Sequence, residues 1–482
     1  MAMTKRTVIV GAGIAGLGAA QRLLKAGVSD IIILEAGDRI GGRICSFPYG
    51  NGFIDYGAQW IHGEDGNPVY TIAKKHGLLR QPDCQDTILP EMSRHLWREE
   101  ENDILLTAQG EQMPEEVVHG ALQILDDIMR NMKNLTTDNH DFTSVGDYTH
   151  RHFVAKIDEL DWSEIDKARY LAVYRSLRLV EMIDAGESQN MMDIAGWNQY
   201  HTCPGDIYVE LANGFSSILQ VILNDIPDGT IKLGTPVVKV QLTDGSTEPV
   251  TVTTANGAQF QAAHVIITSS LGSLKAASST MFEPPLPPGK LRAIHRLGFS
   301  TMNKIHLQFQ EPFWEKNVNG LQFIPEEGAE TDLQDENQSM SEIWHKAITG
   351  FDVHPAKTGL LVGFLAGKAA EYMETLDDAV VVNACMAKIR QYLKNDTLPE
   401  PTKIICSTWH SAPYMMGSYS NIPVSASIDD PSTLAEPVPS EEEPRLMFAG
   451  EATHATFYST SHGALLSGQR EADRIIAFLS HQ

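Results

Sequence analysis

Gly11, Gly13 and Gly16 form a Gly-x-Gly-x-x-Gly run, and an acidic residue, Glu35, follows nineteen positions after the last glycine. These types at this spacing suit the grip of a dinucleotide. Gly11 permits a tight turn, Gly13 lets the main chain approach a pyrophosphate, and Gly16 lets a helix lie close to a strand. Glu35 can accept hydrogen bonds from ribose hydroxyls. Ala15, inside the run, belongs to the same expected cofactor-binding set. Just beyond, Asp38-Arg39-Ile40-Gly41-Gly42-Arg43 adds a second glycine pair and two cations. An extra loop and an arginine can hold a pyrophosphate and a bulkier flavin, which favours FAD over NAD.

The elements around these residues read as strand, turn and helix. Thr7-Val8-Ile9-Val10 is a β-branched run before the glycines. Leu17 to Ala26 then carries helix formers with Leu17, Ala20, Leu23 and Leu24 on one face, and Ile31-Ile32-Ile33-Leu34 gives a second buried strand ending at Glu35. Helical periodicity takes over between about residues 80 and 212, notably in Glu115 to Asn134 and Ser163 to Ile183. Alternating, strand-like sequence returns in Thr235 to Leu242, Val250 to Thr254 and His264 to Ser270, with Asp244-Gly245 and Asn256-Gly257 as turn signals. Pro284 to Pro288 marks a rigid crossover, followed by strands at Thr301 to Phe309 and Leu360 to Phe364 and a helix at Asp377 to Leu393. Arg445 to Gly450 gives a last strand before a glycine-rich turn and a final helix.

Composition bounds the function. The 482 residues allow two or three domains, and 42% apolar with 21% charged residues is ordinary for a globular chain. Lysine plus arginine number 37 against 62 aspartate plus glutamate, a net charge of −25. That disfavours a nucleic-acid partner, which needs a basic face; an acidic surface can draw in cations, but composition alone fits better an acidity that only aids solubility. The five cysteines, Cys45, Cys84, Cys203, Cys385 and Cys406, form no Cys-x-x-Cys pair, so a reducing compartment and no structural metal are expected. The apolar run Val8 to Ala20 is too short to span a membrane, and Ser480-His481-Gln482 does not match a Ser-Lys-Leu type of peroxisomal address. A cytoplasmic protein with no membrane partner is expected, with a peroxisomal one left open, and the oligomeric state is not set by the sequence.

Several separated stretches resemble the flavin-dependent amine oxidases, in particular the animal polyamine oxidases. They are Gly11 to Gly16, Gly41-Gly42-Arg43, Gly57-Ala58-Gln59-Trp60-Ile61-His62-Gly63, Asn303-Lys304, Trp409 to Tyr414, Gly417-Ser418-Tyr419-Ser420, Phe448 to His454 and Tyr458 to Gly463. The resemblance implies an α/β fold: a Rossmann-like FAD-binding domain assembled from separated segments, plus an α+β substrate domain. The FAD segments are expected at 1–79, 213–285 and 433–482, and the substrate segments at 80–212 and 286–432.

The same resemblance implies the site. Gly57, Trp60 and Gly450 join the cofactor set with Trp409 as a wall beside the flavin. Val237 meets the adenine through its backbone, Glu451 bonds near the ribityl and pyrophosphate, and Thr460 and Ser461 cap the flavin at the last helix. Ser418 stands where some monoamine oxidases carry the flavin-linked cysteine, which implies non-covalent FAD. Lys304 is implied to serve oxygen activation, although alternation in Thr301 to Phe309 alone reads it as a lysine on the polar face, in solvent. His62 is implied to accept a hydrogen bond from the reacting amine. Glu181, an isolated carboxylate on an apolar helix, is either an accident of the helix face or an anchor for an ammonium group. Asn303, Tyr419 and Ser459 complete the implied substrate contacts.

The implied reaction moves a hydride from the carbon beside a secondary amine of spermine or an N1-acetylated polyamine to flavin N5, with O₂ as the final acceptor. The products are an aldehyde, a shorter amine and hydrogen peroxide. An amino-acid oxidase, a lysine demethylase and a catalytically silent polyamine-binding flavoprotein are the alternatives.

Overall fold

The computed structural model describes residues 6–50, 52–80, 103–135, 141–242, 249–316, 318–335, 337–354 and 359–481. Cys84 and the Asp244-Gly245 turn signal lie outside the described residues. The chain divides into two compact units, one of residues 1–81, 199–299 and 412–482, the other of 82–198 and 300–411.

The first unit is built on a six-stranded sheet whose order is Val438–Pro439, Pro444–Phe448, His264–Ile267, Thr7–Val10, Ile31–Leu34 and Ile231–Lys232. The four middle strands run parallel, with Thr7 opposite both Ile31 and His264. A parallel sheet is buried on both faces, which is why Thr7–Val10 and Pro444–Phe448 are buried along their whole length. The helix Ile14–Lys25 packs against the final helix Ser461–Ser480 over this sheet, through Leu17, Leu23, Leu465 and Ile475. A second sheet of Phe282–Glu283, Val237–Gln241, Val250–Thr254 and Gln259–Ala262 includes the Asn256-Gly257 turn, where Gly257 has a φ of +82°.

The second unit carries its own six-stranded sheet, in the order Lys403–Cys406, Met302–Gln308, Leu360–Ala366, Gly350–Val353, Gly320–Phe323 and Asp103–Leu106. One apolar core lies against it, and another is formed by the helices Glu115–Met132, Val145–Asp158 and Glu164–Ala185.

The unit boundaries differ from those expected by composition. Residues 199–211 read as a continuation of the helical stretch, yet Val209 bridges Ile61 and Leu211 bridges Leu79, tying them to the first unit. Residues 412–432 likewise belong to the first unit, where Ser270 Oγ donates to the carbonyls of Tyr414 and Met415. These are pairings between distant positions, and local periodicity carries no trace of them.

Candidate active site

In the first unit the glycine run forms an open cradle. Gly11 has a φ of +106°, and a Cβ on Gly16 would lie 2.1 Å from the Gly11 carbonyl, so neither tolerates a side chain. A Cβ on Gly13 would meet nothing within 4 Å, so space is left in front of the turn. Gly13 heads the helix Ile14–Lys25 with no side-chain cap and no acidic residue in the first turn. The N–H groups and the positive dipole end are therefore left for an anion. Ala15 is packed inside the same helix.

Glu35 is fastened to this cradle. Its Oε2 accepts from Ala12 N at 2.7 Å and its Oε1 from Gly37 N at 2.8 Å. Each oxygen keeps a lone pair for a ribose hydroxyl. Gly41 N donates to Ala12 O at 2.8 Å, which folds the second glycine pair onto the first. Gly450 has a φ of +125°, and only Ser269 O, at 4.0 Å, stands near its missing Cβ. Open space in front of Gly13 and Gly450, with an uncapped helix end, fits a dinucleotide.

Arg43 Nη1 donates to Ser418 O at 2.8 Å and to Glu451 Oε1 at 2.7 Å. Its Nε and Nη2 hold no hydrogen bond among the described residues, and its guanidinium lies 5.4 Å from the Phe299 ring centre. Glu451 is buried, and its Oε2 accepts from Ser420 Oγ at 2.5 Å and Ser459 N at 2.9 Å. Glu451 is thus a clamp that joins Arg43 to the last segment.

Two neighbours are also turned inward. Ser459, at a φ of +67°, donates its hydroxyl to Ser420 O. Thr460 caps the final helix, accepting from Gly463 N at 2.9 Å and donating to Phe457 O at 2.8 Å. Its hydroxyl is committed to that helix, so what faces outward at this end is the first-turn main chain, beginning at Ser461.

A residue missed in the sequence, Asn67, holds His62. Asn67 is fully buried, and its Oδ1 accepts from Val69 N and Tyr70 N to cap the helix Pro68–Lys75. Its Nδ2 donates to His62 O at 3.0 Å and stands 3.4 Å from His462 Nδ1. Asn before Pro at a helix start was the available signal. Burial above all, with smaller contributions from His62 and His454, pushes His462 down to about 3, so it is neutral. Trp60 stands edge-on to Tyr208, with ring centres 5.5 Å apart. Gly57 lies just past the strand Gly52–Asp55. Val237 opens its strand opposite Thr254, and Tyr419 opens the strand Tyr419–Asn421.

In the second unit, Lys304 is 1% exposed. Its N donates to Ser407 Oγ at 2.6 Å, its carbonyl accepts from Ser407 N at 2.9 Å, and its ammonium lies 5.9 Å from the Phe364 ring centre. His306, on the same face, is also buried and is driven to about 3 by that burial and by the Lys304 charge. The solvent-facing lysine read from alternation is corrected: the polar face of this strand is covered too. Asn303 is 0% exposed and committed throughout. Its Nδ2 donates to Glu374 Oε1 at 2.7 Å and Ala370 O at 3.2 Å, while its Oδ1 accepts from Ser407 Oγ and Trp409 N, both at 3.1 Å. It orients the buried Trp409 and the Lys304 strand.

Glu181, on Glu164–Ala185, is 9% exposed and has no hydrogen bond or ion pair among the described residues. Burial, then Asp184 and Asp126, raise its carboxyl to about 8. Among the described residues no group of three or more His, Cys, Asp or Glu could hold a metal ion, and no helix is long and apolar enough to cross a membrane.

The model of the family of flavin containing amine oxidoreductases matches residues 14–476. The chain is 35% identical to the peroxisomal N(1)-acetyl-spermine/spermidine oxidase of Homo sapiens, over 99% of this chain and 96% of that protein. It is 32% identical to polyamine oxidase 1 of Oryza sativa subsp. japonica, over 99% and 98%. Against lysine-specific histone demethylase 2 of Homo sapiens it is 28% identical over 98% of this chain but 54% of the demethylase.

Proposed function

The chain belongs to the flavin-containing amine oxidoreductases, and from that premise we propose that it is an FAD-dependent polyamine oxidase acting on spermine or an N1-acetylated polyamine. Glu181 is the observation that carries the substrate class. A carboxylate that the fold buries without a partner among the described residues suits an ammonium group at a distance from the reacting carbon. The two named oxidases, similar over nearly their whole lengths, support the same reading.

In this reading the Gly11 to Gly16 cradle and Glu35 hold the adenosine and pyrophosphate in a Rossmann-like fold, and Arg43 presents its open nitrogens to the phosphates. Ser418 leaves the FAD non-covalent, so acid precipitation releases all the yellow colour into the supernatant. Bound flavin supplies the acceptor for a hydride from the carbon beside a secondary amine and returns the electrons to O₂ as hydrogen peroxide. His62, its main chain fixed by Asn67, takes a hydrogen bond from the amine and favours its neutral form. Lys304 supplies a buried positive charge for the reduction of oxygen, and His306 beside it stays neutral and adds no competing charge. The little acid and base chemistry required fits the absence of a triad among these residues.

Peroxide release is measured with spermine, spermidine, N1-acetylspermine, N1-acetylspermidine, benzylamine and amino acids. Turnover of at least one polyamine, well above benzylamine, is expected. Failure with every polyamine would falsify the assignment.

A further inference from the structure

The peptide unit that follows His62 is pinned at both ends. Gly63 N donates to Asp206 O at 3.0 Å, and a Cβ on Gly63, whose φ is +80°, would lie 2.0 Å from Cys203 O. At the other end, His62 O accepts from Asn67 Nδ2 at 3.0 Å. Rotation of this unit would swing the His62 imidazole, so whatever steadies the Asn67 amide also aims His62.

That amide can stand only one way round. One of its terminal atoms faces two main-chain donors, Val69 N at 2.9 Å and Tyr70 N at 3.3 Å, and must be the oxygen. The other is the nitrogen, with one hydrogen for His62 O and one for His462 Nδ1, 3.4 Å away. Facing a donor, His462 Nδ1 must offer a lone pair, which places the single proton of the neutral ring on Nε2. Nε2 is sealed from solvent and has no hydrogen bond among the described residues. The ring therefore bears an orphaned donor on one side while it serves as acceptor on the other.

His462 is a firm support. It is the second residue of the helix Ser461–Ser480 and 1% exposed. Its ring centre lies 4.8 Å from that of Phe457, and a Cβ on the next residue, Gly463, would lie 1.9 Å from Phe457 O. Burial first, then His62 and His454, keep the ring unprotonated. An imidazolium there would set Nδ1–H against the Asn67 amide, donor against donor.

We propose that His462 is a positioning residue for the oxidation: its unprotonated Nδ1 fixes the Asn67 amide, and Asn67 in turn fixes the aim of His62 at the reacting amine. The inference rests on the part given to His62 in the reading above and adds the ring that acts through it.

The FAD-loaded enzyme and its H462N, H462L and N67D forms are compared by the rate of flavin bleaching with saturating spermine or N1-acetylspermine, without oxygen and across the neutral range of pH. Asparagine sets its Oδ1 near the place of the ring Nδ1 and keeps the acceptor, whereas leucine keeps bulk in an apolar setting and loses it. A ring that merely filled space would make leucine the milder change in both melting temperature and rate. The proposal expects the two to part: H462L melts no lower than H462N, yet near neutral pH it bleaches about tenfold more slowly than the unmutated enzyme, and H462N is slowed less. N67D, whose carboxylate still caps the helix Pro68–Lys75, is slowed like H462L. In both slowed forms the acid limb of the rate moves to higher pH, because a displaced His62 no longer favours the neutral amine. In the nitrogen NMR spectrum of histidine-labelled enzyme, the ring signal that disappears in H462L should show its proton on Nε2. A proton on Nδ1, or H462N no faster than H462L with the acid limb unmoved, overturns the proposal and leaves the polyamine reading standing. No bleaching of the unmutated enzyme by either amine overturns that reading and the proposal with it.

Discussion

Glu451 and Glu181 are both buried glutamates, one in each unit, and their surroundings are opposite. Glu451 accepts from Arg43, Ser420 and Ser459, whereas Glu181 accepts from nothing described and is pushed up to about 8. The first is a joint in the protein. The second has no partner among the described residues. A buried carboxylate in a sequence thus carries two meanings, and the partners around it decide between them.

The strongest way to break this contrast is Glu451→Ala. It leaves Arg43 Nη1, Ser420 Oγ and Ser459 N without their acceptor, and about 3–5 kcal/mol of stability is expected to go. Thermal unfolding and retention of FAD through gel filtration report it. Unchanged values for both would remove Glu451 from its role as a joint.

Glu181→Gln should act in the other direction. Polyamine kcat/KM is expected to fall by about 2 kcal/mol, roughly 30-fold. Stability should not fall with it, because the raised carboxyl means that the native state holds this proton more tightly than the unfolded chain does. That contribution is complete below about 4.5 and is lost as pH rises toward about 8. The glutamine form should therefore lose less melting temperature between pH 5 and pH 8 than the parent. Asp184 and Glu471, both raised to about 7, keep part of the slope. A steeper slope in the variant contradicts the assignment.

Asn303→Ala asks whether pairing, and not the unit, decides the role. Asn303 sits in the unit of Glu181 but is paired like Glu451. About 1–3 kcal/mol of stability should disappear as Trp409 N and Glu374 lose a partner. A large rise in substrate KM at unchanged melting temperature would return Asn303 to the substrate contacts.

The smallest effect is a fraction of a proton. At pH 7 a group titrating at about 8 is mostly protonated, and a bound ammonium favours its charged form. Polyamine binding should release protons, seen as a dependence of binding heat on the ionisation enthalpy of the buffer. Proton uptake would count against Glu181 as the anchor.

The contrast also explains what could be read in the sequence. Gly11, Gly13, Gly16 and Glu35 were legible because each answers a local demand of main-chain shape or spacing, and the structure ties Glu35 directly to the turn. The burial of Lys304 was not, since alternation describes one strand and says nothing of a second layer covering its other face. Asn303 and Glu451 were identified as members of the site, but their protein partners were not legible, because those partners lie far away in sequence. Asn67 carried a helix-start signal but no sign that its amide would also hold His62. Glu181 could be read as a choice between two fates, and the anchor is the one proposed above.

The parallel strand Thr7–Val10 has a consequence for how the protein is made. It is flanked on one side by Ile31–Leu34, available at once, and on the other by His264–Ile267, which in turn is edged by Pro444–Phe448. Asn67 reaches His462 across 395 positions and Arg43 reaches Glu451 across 408. During synthesis the cradle can begin to fold early, but its walls arrive only after several hundred further residues have left the ribosome. Closing so long a loop adds only about 0.6 kcal/mol for each doubling of its length, so the delay is one of waiting for chain more than of entropy. Until then one edge of Thr7–Val10 lacks its parallel neighbour His264–Ile267.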